Sequence, residues 1–80
     1  MKAQVLVRLK PGVLDVQGKA VEHGLKSLGF NNVSDVRIGR LVEFEIESDS
    51  TEDARREVTE ICEKLLANTI IENYEIRGLE

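Results

Sequence analysis

Eighty residues, 41% of them hydrophobic and 32% charged, read as one soluble domain over residues 1–80, too apolar for disorder and too interrupted by charge for a membrane span. A core of this size is marginal, so self-association or a partner is an expected part of the fold. A net charge of −4 with three aromatic residues, Phe30, Phe44 and Tyr74, argues against nucleic acid, and the lone Cys62 argues against an internal disulfide or a metal framework.

Met1-Lys2-Ala3-Gln4 leads straight into a short alternating run without the apolar core of a secretory signal, which predicts a cytoplasmic protein. Ala3, Val5, Val7 and Leu9 alternate with Gln4, Arg8 and Lys10, the period of a strand with one buried face. Leu6 breaks the polar side. It is either scatter or the place where a second subunit covers the sheet. Pro11-Gly12 stops the strand, and Asp15 is placed to cap a helix. That helix carries Ala20, Val21, Leu25 and Leu28 along one stripe, with Gly24 on the same face. Gly29 sits where a left-handed cap is wanted, with Phe30 folding back onto Leu25.

From Val33 to Glu47 the pattern returns to two, interrupted at Gly39-Arg40. A three-residue loop over Gly39, Arg40 and Leu41 would pair Ile38 with Val42, and one long strand bent at Gly39 preserves the same parity. Ser48 to Thr51 offers caps for a second helix with a core stripe of Ala54, Val58, Ile61, Cys62 and Leu65. Glu52 with Arg56 and Glu60 with Lys64 mark its solvated face. Ile70 to Ile76 reads as a closing strand. The expected fold is α+β: a two-layer sandwich related to the ferredoxin-like plan, β-α-β(-β)-α-β, with two helices on one face of a small, mainly antiparallel sheet. The open face then needs cover. Leu6 and Leu41, out of phase with their strands, predict a second copy there.

No catalytic constellation emerges. His23 has no Cys or carboxylate at metal spacing, and Cys62 lies on a core stripe without a histidine to activate it. Glu43, Glu45 and Glu47 share one strand face, the ordinary composition of a wet surface. Lys10-Pro11-Gly12 lacks the pattern of a phosphate loop. Arg37 and Arg40 flank Gly39 and suit an interface with an acidic surface. The sites expected to matter are therefore surfaces: Leu6, the Gly39 region with Arg37, Arg40 and Leu41, and the last strand around Tyr74.

Several segments together resemble one family. Lys10-Pro11-Gly12-Val13-Leu14-Asp15, Gln17-Gly18, Ala20-Val21, Leu25 and Leu28-Gly29-Phe30 are similar to the opening of PurS proteins. Val36-Arg37-Ile38-Gly39-Arg40 resembles the middle segment, and Cys62 to Asn68 followed by Ile71 to Ile76 the closing one. The departures are Val16 and Thr69, where proline is frequent, and Gly24, where a better helix former is usual. The resemblance implies a non-catalytic subunit of phosphoribosylformylglycinamidine (FGAM) synthase in purine biosynthesis. Such a subunit joins the glutaminase and synthetase subunits for transfer of glutamine-derived ammonia. It also implies no cofactor on this chain, and ATP and magnesium on the synthetase subunit; a homodimer or higher assembly is expected from the uncovered sheet face with Leu6 and Leu41. Two other classes share the architecture: a stand-alone regulatory domain that binds a small ligand, and an acylphosphatase-type enzyme. The second needs an Arg-bearing phosphate loop that Pro11-Gly12-Val13-Leu14 does not supply.

Overall fold

The computed structural model describes residues Met1–Glu80. Strand β1 (Lys2–Leu9) leads to helix α1 (Val16–Ser27), strand β2 (Gly39–Glu45), helix α2 (Thr51–Ile61), a π-helical turn (Cys62–Leu66) and strand β3 (Glu72–Leu79). The class and element order are those expected from the sequence. No helix is long and apolar enough to cross a membrane.

The central strand is β1, paired antiparallel to β2 on one side and β3 on the other. Its alternation is expressed directly: Ala3, Val5 and Val7 are fully buried, while Leu6 and Arg8 face the other way. Register places Val5 between Val42 and Ile76, and Leu6 between Leu41 and Glu75. Helix α2 covers the inner face with Ala54 and Val58, and Cys62 and Ala67 complete the core behind it. The Ser50 hydroxyl accepts from the Asp53 amide at 3.1 Å, and Glu52 and Asp53 in the first turn suit the positive end of the helix.

Two side-chain expectations on α2 change. Arg56 pairs with Asp53 at 2.9 Å, one residue closer in the chain than Glu52, whereas Lys64 meets Glu60 at 2.6 Å as expected. Leu65, expected in the core, is 81% exposed. The cause is the π turn, in which the Ala67 amide donates to the Cys62 carbonyl five residues back. The wider turn advances the phase by about one residue. Leu66 packs on the core in place of Leu65.

Helix α1 starts and stops as its sequence predicts. The Asp15 carboxylate caps it by accepting from the Gly18 amide at 2.7 Å. At the other end Gly29 takes φ +96, the Gly29 amide donates to the Lys26 carbonyl, and the Phe30 amide donates to the Leu25 carbonyl, a Schellman cap. The expected burial of its stripe does not hold within one chain. Ala20, Val21 and Leu28 are exposed, Leu25 is half-buried, and no residue of α1 enters the core cluster. The side of α1 that is covered carries Gly18 and Glu22, and it faces the segment before β2.

That segment, Val33–Ile38, is neither a hairpin arm nor the first half of a bent strand. Its backbone is satisfied by side chains instead. The Ile38 amide donates to Asp15 Oδ2 at 2.7 Å and the Val36 amide to Glu22 Oε1 at 3.5 Å. Arg37 donates to the carbonyls of Val13 and Lys10 at 3.1 and 3.2 Å. Gly18 allows the approach, since a Cβ there would collide with the Val36 carbonyl oxygen.

Two outcomes follow from this clamp. Gly18→Ala forces the segment off α1 and destabilises the fold by about 1–3 kcal/mol, as overpacking at a tight contact does; an unchanged urea midpoint would show that Val36 moves aside at no cost. Backbone donation from Ile38 and Gly18 holds the Asp15 carboxyl below its ordinary range, and donation from Val36 and pairing with Lys26 do the same for Glu22. Folded values below unfolded ones mean that this stabilisation is complete above the unfolded carboxylate range, about pH 4, and is lost as pH falls below it. Urea midpoints measured from pH 7 to pH 2.5 should fall less steeply in Asp15→Asn than in the parent, and equal slopes would remove Asp15 as a source of the acid sensitivity.

Candidate functional site

The face of the sheet away from α2 is built by the residues of opposite phase. Gln4, Leu6 and Arg8 of β1 lie between Leu41 and Glu43 of β2 and Asn73 and Glu75 of β3. Leu6 and Leu41 are directly opposite, so two apolar side chains stand together at the centre of this open face, with Leu41 54% exposed. Charged pairs frame them: Arg8 with Glu75 at 3.6 Å, and Lys2 with Glu43 at 3.6 Å. Gln4 donates to Glu43 at 2.7 Å, and this bond and Lys2 hold the Glu43 carboxyl below its usual range. Glu43 is thus engaged in surface pairing. It is not poised as an acid.

Beside the leucines a shallow depression of about 390 Å³ is lined by Leu6, Arg8, Leu9, Arg37, Tyr74 and Glu75, among others. Three of the residues singled out in the sequence, Leu6, Arg37 and Tyr74, therefore meet at one place. Arg37 is fixed there because its guanidinium spans the Lys10 and Val13 carbonyls of the turn into α1. Tyr74 borders the depression and also packs against the core opposite Val7. The Glu63 carboxylate and partial burial push its phenol up.

Gly39 and Arg40 lie elsewhere. Gly39 opens β2 opposite Arg8. Arg40 lies on the α2 side of the sheet, paired with Val7 in register, and reaches across β1. Its two terminal nitrogens grip Glu72 at 2.7 and 3.1 Å, and one also donates to the Leu66 carbonyl. Glu72 in turn accepts from the Asn68 amide at 2.7 Å. The forked pair raises the Arg40 value and lowers that of Glu72. A charge reversal at Arg40 therefore breaks an internal tie between both edge strands, and Arg40 is not simply a free surface charge.

The remaining chemistry-bearing residues are dispersed. Cys62 is fully buried, and burial with the nearby Glu63 charge pushes its thiol up, away from the reactive thiolate. His23 is exposed on α1. No group of three or more His, Cys, Asp or Glu side chains is arranged to hold a metal ion. What sequence reasoning missed is a second surface. Leu14, Val16 and Leu28 around α1, and Leu65 and Ile70 beyond α2, are all more than two-thirds exposed. Leu14 and Val16, which flank the capping Asp15 outside the helix stripe, were the available signal.

Comparison with known proteins gives one answer. The family model "PurS: Phosphoribosylformylglycinamidine (FGAM) synthase" matches residues 2–80. The PurS subunit of phosphoribosylformylglycinamidine synthase from Bacillus subtilis is 55% identical over 73 residues, covering 91% of this chain and 86% of that one. The PurS subunit from Methanocaldococcus jannaschii is 42% identical over 76 residues, covering 95% and 92%. A solved structure of B. subtilis PurS superposes with a TM-score of 0.84 at 52% identity, covering 99% of this chain and 98% of that one. A chain in the structure of PurLQS from Thermotoga maritima superposes with a TM-score of 0.85 at 30% identity, covering 99% of both. A family match over residues 2–80, together with relatives and solved structures that align over nearly the whole chain, leaves one assignment: this chain belongs to the PurS family of FGAM synthase subunits.

Proposed function

We propose that the chain is the non-catalytic assembly subunit of an FGAM synthase, a single PurS domain joining the glutaminase and synthetase subunits for transfer of glutamine-derived ammonia. The full-length match to a chain of the T. maritima PurLQS structure carries this reading. The chemistry belongs to the larger subunits, with ATP and magnesium on the synthetase, and the complex works in the cytoplasm. The chain acts as a homodimer. Its docking surface for the larger subunits is the open sheet face, where Leu6 and Leu41 stand together with Arg37 and Tyr74 beside them. An apolar centre framed by Arg8–Glu75 and Lys2–Glu43 has the composition of a protein interface: few charges in the middle, charged pairs at the rim.

Purified glutaminase and synthetase subunits, assayed for glutamine-dependent amidine formation with and without this chain, test the assignment. Activity and co-elution in its presence alone are expected; full activity without it removes the reading. Leu6→Glu, at a position half-exposed in the free chain, should weaken co-elution about tenfold or more while leaving the melting temperature in place. Unchanged co-elution would move the docking surface off this face.

A further inference from the structure

Ion pairs frame the open sheet face, but at one end its charges do not balance. Arg37 makes no ion pair. Its guanidinium donates to the Val13 and Lys10 carbonyls at 3.1 and 3.2 Å, and its other N–H groups have no acceptor in this chain. Asp15 feels its charge, yet both carboxylate oxygens are already taken by the Gly18 and Ile38 amides. Arg8, on the same depression, shares the Glu75 carboxylate with Arg77, each at 3.6 Å. Of the two arginines that flank Gly39, Arg40 is spent inside the fold on Glu72, whereas Arg37 is left exposed. The result is a local excess of positive charge on a chain whose net charge is −4.

The depression that holds the two arginines also has an apolar lining. Leu6 and Leu9 are half-buried and Pro11 is exposed, around a volume of about 390 Å³. A free metabolite needs a site that encloses about 70–90% of its surface, and this depression is too shallow for that. A protein segment has no such need, because its contact continues over Leu6 and Leu41 on the same face. Arg37 suits such a contact for a further reason. The turn into α1 holds it in place before anything binds, and a guanidinium already ordered by two carbonyls loses little freedom on meeting a carboxylate.

We propose that this depression receives a segment of a larger FGAM synthase subunit that carries an apolar side chain beside an Asp or Glu. The apolar group lies on Leu6, Leu9 and Pro11, and the carboxylate accepts from Arg37 with Arg8 beside it. The proposal rests on the functional reading above and adds to it the chemistry of the partner: an acidic anchor, held by an arginine that the fold has positioned in advance.

Binding of the purified synthetase and glutaminase subunits to the full chain, measured by biolayer interferometry between about 0.1 M and about 1 M sodium chloride, tests it. The variants are Arg8→Gln, Arg37→Gln, Arg37→Lys and Leu6→Glu, with circular dichroism to verify folding and sedimentation equilibrium to fix the mass of each free chain. At the lower salt, Arg8→Gln and Arg37→Gln should each weaken binding to a larger subunit about tenfold, and salt should then weaken it less than it weakens the parent. Arg37→Lys keeps the charge and cannot span both carbonyls, so it should recover only part of the loss. The Arg8 side chain makes no bond to the turn into α1, so Arg8→Gln decides the matter if the Arg37 variants unfold. A parent that binds neither subunit removes the functional reading itself. Loss of binding in Leu6→Glu, with parental affinity and salt dependence in Arg8→Gln and Arg37→Gln, keeps the docking face and overturns the acidic anchor. Tighter binding by Arg8→Gln means a basic occupant and overturns it as well. An altered mass of the free Arg8→Gln chain assigns the arginines to contacts between copies, which also overturns the proposal.

Discussion

The Asp15 carboxylate joins the start of α1 to a stretch of chain 23 residues further on and satisfies both. One oxygen caps the first turn of α1 at the Gly18 amide, and the other accepts from Ile38 just before β2 begins. A helix start has exposed amides that need acceptors, and so does a segment with no strand beside it. A single carboxylate meets both needs, which ties the direction of α1 to the entry of β2. Glu22 makes a similar tie about two turns on, with Val36. The consequence is a helix aimed by polar bonds along one side, whose apolar side is left to find its own cover.

The sheet is held by a different device. With β1 in the centre, the two edge strands never touch, and yet Arg40 of β2 and Glu72 of β3 are joined by a forked pair at the end of β1. Arg40 also reaches the carbonyl of Leu66, which ends the π turn, and Glu72 takes the Asn68 amide that follows it. The turn between α2 and β3 is thereby pinned to the opposite edge of the sheet. Arg40 is partly exposed, so the Coulomb attraction is screened, and its value lies in geometry: two parallel bonds hold the two edge strands relative to each other across β1.

Local signals were legible in the sequence where a residue acts on its own neighbourhood. Asp15 capping, the Gly29 stop, the alternation of β1 and the Ala54–Val58–Cys62 stripe all express preferences settled within one or two turns of chain. Val33–Ile38 was not legible, because its alternation suits a strand and the bonds that displace the ladder come from Asp15 and Glu22, far back in the sequence. Leu65 was misplaced because a π turn leaves no mark in the spacing of apolar residues before it. The stripe of α1 was found correctly, and its burial was not. Periodicity identifies which side of a helix is apolar and carries no information on whether the same chain covers it.

The composition of α1 bears on what must cover it. The helix has 12 residues, a length at which an isolated helix is marginal in water even with favourable residues. It contains two glycines, Gly18 and Gly24, each costing about 0.5–1 kcal/mol relative to alanine, and Val16 at its first position in place of a pre-organised proline. The two caps offset part of this. Burial in its own chain does not supply the rest, since no residue of α1 enters the core. A weak helix held along one side by polar bonds, with an apolar stripe that its own chain leaves bare, is one whose order any partner that covers the stripe would raise.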